Sequence, residues 1–283
     1  MATTTTASPT TAGATTLPVE RPSLVRRVLD SSILYRLIAL AFFGAIWQWY
    51  ATSHQSILVP TFVDTMVAVP ALLASSELWE RMWVSNQAMI IGFAAACAIG
   101  IPIGLLMGRF NRAERFANLY VNILLVTPMA ALIPIVLMST GIRDGALLSR
   151  VILVVLFSFV MLIVNSRAGV RQVDPSVIEM ARCFGASELQ IWRRVLLPGS
   201  VPAVMAGVRI GLGRAVTGMV IVELLLIAVG LGNLVQRYEA RMQGDLLYAL
   251  VIIIVAEALL LIQAARWLER KVTPWRQVVS FGE

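Results

Sequence analysis

Two carboxylates stand inside apolar runs, Glu223 within residues 206–229 and Glu257 within residues 247–266. A carboxylate in such a place is costly unless paired, protonated or hydrated, so each marks a hydrogen bond between helices or the wall of a hydrated passage. No catalytic set forms around them. The one lysine, Lys271, is followed by Val272, which excludes a G-x-x-x-x-G-K-[ST] phosphate loop. The one histidine, His54, excludes H-E-x-x-H zinc chemistry, and Gly185-Ala186-Ser187-Glu188-Leu189 misses the G-x-S-x-G nucleophile pattern. Gly207, Gly211, Gly213 and Gly218 follow no strand and match no phosphate fingerprint, so close helix packing accounts for them better. Cys97 and Cys183 read as small apolar fillers and not as disulfide partners. The chain is expected to hold no metal and no cofactor.

The elements around these residues must be membrane helices. Of the 283 residues, 58% are hydrophobic and 14% charged, a balance that belongs in a bilayer. Residues 37–63, 82–108 and 116–142 contain no Asp, Glu, Lys or Arg, and each holds the roughly 20 apolar residues that cross a hydrocarbon core. Residues 151–166, extended past Arg150 by Ala146, Leu147 and Leu148, together with 206–229 and 247–266, bring the expected spans to six. The fold class is therefore all-α, a polytopic membrane protein.

The first span, about Ile33 to Ala51, ends in Trp47, Trp49 and Tyr50, rings suited to the headgroup boundary. The segment from Thr52 to Met82 carries Pro60 and Pro70 and is expected to lie along the outer surface. Gly92, Ala96, Gly100, Gly104 and Gly108 recur every four residues, a stripe of small side chains that admits a neighbouring helix. Pro102, Pro128 and Pro134 are expected to kink their helices.

The net charge of +7 does not point to nucleic acid, because its placement fits the excess of Lys and Arg on cytoplasmic loops. With both termini inside, 18 of the 23 basic residues fall on the cytoplasmic side. Arg81, Arg143, Arg150, Arg237 and Arg241 fall outside, while Arg209 and Arg214 are expected near the cytosolic entrance of their span, snorkelling to the surface. Residues 1–30 form a tail, of which the first 20 are mostly Thr, Ala and Pro with little to bury, and it is expected to be disordered. The tail lacks the pattern of a signal peptide.

The most informative stretch lies between two apolar runs. Asp174-Pro175 should cap and open a short helix that Phe184-Gly185 ends. Ser187-Glu188-Leu189-Gln190 has the form of a capping box, so a second short helix should follow and run until Pro198 forbids continuation. The product is a helix-Gly-helix elbow, with Val177, Ala181 and Phe184 expected on one face.

Glu179, Ala181, Gly185, Ile191 and Leu197-Pro198 fall at the spacing of the EAA loop, and the chain resembles the membrane subunits of binding-protein-dependent ABC importers. Met180 departs from the alanine of many members but keeps the helix. Gly185-Ala186-Ser187, the run from Val201 to Ile210, Gly100-Ile101-Pro102-Ile103-Gly104 and Gly230-Leu231-Gly232 look most like the nitrate, sulfonate and taurine branch.

This likeness, from about Val84 to Lys271, implies a type I ABC importer permease fold, with a first helix and outer segment (31–83), the permease domain (84–271), a coupling loop (167–205) and a C-terminal tail (272–283). It implies a coupling site of Glu179, Ala181, Arg182, Phe184, Gly185, Ile191, Leu197 and Pro198, in which Glu179 supports the elbow through polar contacts. It also implies the partners: two cytoplasmic ABC ATPase subunits that bind the ATP, a second permease copy and an extracytoplasmic solute-binding protein. The cargo is then a small anion such as a sulfonate, taurine, nitrate or an aromatic carboxylate, imported across the inner or plasma membrane by alternating access. A pyrimidine-type vitamin precursor is an alternative cargo. An ion-coupled secondary transporter using Glu223 and Glu257, or a membrane-bound enzyme, is an alternative class.

Overall fold

Within a bilayer a segment must satisfy its own backbone polar groups, which a helix does. The computed structural model describes residues 32–54, 59–140, 147–225 and 229–273, and every regular element among them is helical. The expected tail 1–30, all but two residues of the tail 272–283, and parts of the expected spans at 141–142 and 226–228 lie outside the described residues.

Helix α1 (Ser32–His54) lies largely in the first of the two units into which the chain divides, one ending at Tyr50 and the other holding the rest. It carries Trp47, Trp49 and Tyr50 toward its C-terminal end, and the Phe43 and Trp47 rings meet edge to face. In the second unit, α2 (Phe62–Leu73) is opened by Thr61, whose hydroxyl accepts from the Asp64 N–H at 3.1 Å, and it packs on α11 (Gly244–Val272). The long α3 (Ser76–Arg109) starts earlier than its charge-free stretch and runs unbroken through Pro102.

The third expected span is not one helix. It comprises α4 (Asn111–Val126), a 3-10 turn (Met129–Leu132) and α5 (Ile133–Thr140), with a bend of 96° between the two halves. Thr127 and Pro128 are both extended there. Pro128 biases the residue before it away from the helical region, whereas Pro134 sits in the first turn of α5, where a missing N–H costs nothing.

Helix α6 (Leu147–Arg171) occupies the centre, with α3 on one side and α9 (Leu197–Leu225) on the other. Between α6 and α9 lies the elbow, α7 (Pro175–Cys183) and α8 (Glu188–Ile191), and between α9 and α11 lies α10 (Gly230–Ala240). Among the described residues four helices are long and apolar enough to cross a membrane: α3, α6, the continuous Glu188–Leu225, and α11. The bent pair makes a fifth if taken as one span, and α1 is consistent with a sixth.

The glycine stripe faces α6. A Cβ on Gly92 would lie 2.8 Å from Val154 Cβ, one on Gly100 3.0 Å from the Phe159 carbonyl oxygen, and one on Gly104 2.7 Å from Ser166 Cβ. Small residues draw the two backbones together, and such packing carries helix association where lipid removes the usual hydrophobic drive. Gly104→Val should therefore destabilise the protein by about 1–3 kcal/mol, the usual cost of overpacking. Gly213→Ala, whose Cβ would meet only Ile262 Cδ1 at 3.8 Å, should be neutral or slightly stabilising. Thermal unfolding in one detergent measures both.

Candidate functional site

The elbow is built from local rules. Asp174 accepts from the Ser176 N–H at 2.8 Å, and that hydrogen bond holds its carboxyl below the usual aspartate range. The cap therefore persists above that range and is lost as pH falls through the lowered value. At the other end of α7 the Ala186 N–H donates to the Ala181 carbonyl at 3.0 Å and the Gly185 N–H to that of Arg182 at 2.9 Å. These are the paired bonds of a Schellman ending, and Gly185 takes φ +75° as the motif requires. A Cβ there would meet nothing within 4 Å, so backbone conformation, and not space, selects glycine. Ser187 and Gln190 form the expected capping box: the Ser187 N–H donates to Gln190 Oε1 at 2.8 Å, and the Gln190 N–H to Ser187 Oγ at 3.4 Å.

The second helix does not stop at Pro198. After α8 the chain makes a π turn, Trp192–Leu196, in which the Leu197 N–H reaches the Trp192 carbonyl, and it passes into α9 without a break. Widening the turn by one residue just ahead of Pro198 makes room for its ring and its missing N–H. The second half of the elbow is thus continuous with the long helix.

Ile191 is buried with Leu196, Val170 and the half-buried Ala181 and Ala186, which fastens the elbow to the end of α6. Leu197 is exposed, and its neighbour Leu196 is the anchor. Val177, Met180 and Phe184 are exposed, Phe184 at 85%, and their i, i+3, i+7 spacing puts them on one face. Ala181, four residues after Val177, lies at the edge of this face, half-buried between it and the packed Ile178, and Met180 extends the exposed side. Glu179 is exposed and makes no side-chain bond among the described residues, being turned away from the face that packs through Ile178. The polar support expected of it comes from Glu188, which accepts from Arg182 at 3.0 Å and from Arg109, at the end of α3, at 2.8 Å. Arg171 and Arg167 both pair with Glu114, tying α4 to the end of α6.

A second cluster lies far from the elbow. Glu223 is fully buried on α9 and accepts from Ser85 Oγ of α3 at 2.7 Å, from Arg150 Nη1 of α6 at 3.2 Å and from the Gly232 N–H of α10 at 3.2 Å. The Leu231 N–H donates to Ser85 Oγ at 2.9 Å, and Arg150 Nη1 also donates to the Val84 carbonyl. Gly230, at φ +61°, lets the α10 backbone lie against this carboxylate, because a Cβ there would come within 2.7 Å of Glu223 Oε1. Glu257 of α11 is half-buried and accepts from Asn86 Nδ2 of α3, two helices brought together by a pair that no local pattern announces. The structure does not join Glu223 and Glu257 to the elbow. Arg150, Ser85 and Asn86 were not singled out as their partners, and only the charge of Arg150 interrupting an apolar run signalled a need for one.

Breaking a buried pair strands a charge, at a cost of about 3–5 kcal/mol, whereas replacing both members with apolar residues is often near neutral. Glu223→Ala should accordingly lower stability by about that amount, and Arg150→Met with Glu223→Leu by much less. Denaturant titration in micelles compares them.

Residues 100–274 match the family described as binding-protein-dependent transport system inner membrane component. The chain is 28% identical over 241 residues to the taurine transport system permease protein of Escherichia coli (strain K12), covering 82% of this chain and 86% of that protein. It is 23% identical over 260 residues to the nitrate import permease protein of Synechocystis sp. (strain PCC 6803), covering 88% and 93%. A solved structure of the MetNI methionine ABC transporter superposes on it with a TM-score of 0.57 at 21% identity, covering 69% of this chain and 94% of that one, which shows a shared fold. An all-helical body, an elbow of EAA spacing and these matches agree, and the chain belongs to the inner-membrane permease components of binding-protein-dependent ABC transport systems.

Proposed function

We propose that the chain forms, with a second permease copy, the pathway through which a small anion is imported, driven by two separate ATPase subunits and fed by an extracytoplasmic solute-binding protein. The observation that carries this reading is the elbow. Val177, Met180 and Phe184 present an apolar face left exposed among the described residues, and such a face beside a tight turn suits docking into a groove of a partner.

Force applied there has two routes into the membrane. One is the buried contact of Ile191 and Leu196 with Val170 of α6, and the other is the uninterrupted passage through the π turn into α9. Moving two such elbows together rocks the attached helices as rigid bodies, which is alternating access. ATP belongs to the partner subunits in this scheme, and the elbow with both chain termini faces the cytoplasm, as the distribution of basic residues favours. An anionic cargo is favoured by the relatives named for taurine and nitrate.

Gly185→Asp and Gly185→Arg should insert normally yet abolish uptake of taurine or nitrate, whichever the intact system carries. Gly185→Ala should act more mildly, since a non-glycine residue in the left-handed region costs about 1–2 kcal/mol. Uptake assays with quantified membrane levels, together with co-purification of the ATPase, decide it. Normal transport by the Asp or Arg variant contradicts the coupling role.

A further inference from the structure

Two features that hydrocarbon does not tolerate meet at one cavity. The first is Arg214, near the middle of the membrane-spanning α9 and therefore not at the cytosolic entrance expected from its sequence context. A guanidinium at that depth costs roughly 2.5–3.5 kcal/mol on insertion scales unless it is paired or faces water. The other arginines of the long central helices have acidic partners: Arg150 has Glu223, Arg209 has Glu269 and Arg167 has Glu114. Arg214 has no carboxylate partner among the described residues, and its side chain is exposed.

The second feature is the break at Thr127 and Pro128, where the backbone is extended between α4 and the 3-10 turn. Non-helical backbone at membrane depth persists where it is buried in protein or lines a water-filled cavity. Both features border the same cavity of about 260 Å³, whose walls include Leu124, Thr127, Met129, Phe157, Met161 and Arg214. Phe157 and Met161 lie in the middle of α6, so the cavity sits at mid-depth of α6 and α9. Arg214 is the one charged group among its described lining residues. The nearby hydroxyls are committed elsewhere, Thr127 donating to the Ile123 carbonyl and Thr217 to that of Gly213.

We infer that this cavity is an anion-binding station of the translocation pathway, in which Arg214 holds the oxyanion head of a small organic sulfonate or carboxylate while Phe157 and Met161 pack against its apolar body. The inference deepens the importer reading and rests on it for the cargo, but the anion site itself is testable without transport. A guanidinium offers a planar fork of donors that matches sulfonate and carboxylate oxygens, and low-dielectric walls strengthen its attraction.

The test uses the full chain in lipid nanodiscs, with Cys97→Ala and Cys183→Ser removing the native thiols and Ala130→Cys placing one on the exposed cavity wall. Two thiol reagents of similar size are compared, anionic sulfonatoethyl methanethiosulfonate and cationic trimethylammonioethyl methanethiosulfonate. The ratio of anionic to cationic reaction rates should fall about ten-fold on Arg214→Gln and stay near its original value on Arg214→Lys, because a charged cleft concentrates its counter-ion by that order or more. With Arg214 intact, raising ionic strength should slow the anionic reagent relative to the cationic one. An unchanged ratio in Arg214→Gln overturns the proposal, and so does a thiol at residue 130 that reacts with neither reagent until the protein is unfolded. An intact anion preference in a system that imports only neutral solutes upholds a site for anions and defeats the reading of the cargo.

Discussion

Hydrocarbon offers a polar group no partner, and that constraint organises the helices more than any apolar contact does. Glu223 is tolerable on α9 only because Ser85 of α3, Arg150 of α6 and the N–H of Gly232 on α10 converge on its two oxygens. Four helices, two of them distant in sequence from Glu223, are thereby held in one arrangement. A pair so deeply buried contributes little net stability against an apolar substitute, but it penalises any arrangement that separates its members. Its role is to specify how the helices meet.

The close approach of α3 to α6 follows the same logic from the apolar side. Where lipid is as apolar as leucine, association depends on backbone proximity and contact area, which the small residues of α3 supply. Helices α3 and α9 thus both pack closely on α6 at the centre of the bundle. The elbow is continuous with α9 through the π turn and anchored to α6 through Ile191. In contrast, the broken segment around Pro128 lies beside α6 and α9 and borders the cavity that Arg214 enters. The elbow and the irregular backbone thus lie on different elements.

The parts of the site that were legible in the sequence are those ruled by neighbours in the chain. Asp174-Pro175, the Ser187 and Gln190 box and Gly185 act over six residues or fewer, and the structure forms each cap and turn as those rules require. Pro198 was misleading because a proline's prohibition holds for a regular α-helix, and a π turn upstream lifts it. Glu179 sat at a familiar position, yet the contact with Arg109 that braces the elbow belongs to Glu188, since Arg109 reaches it only after α3 has packed beside α6.

Composition and spacing alone determined that this chain is a bundle of membrane helices with an elbow of EAA spacing, because the hydropathy of a span and the conformation of a cap are set within a few turns of backbone. Tertiary structure alone decided which polar groups meet, that Glu223 finds Arg150, that Glu257 finds Asn86, and that Arg214 is left facing a cavity at mid-depth. Those pairings link residues far apart in the chain, and their energy depends on distance and burial, quantities that exist only once the helices have packed.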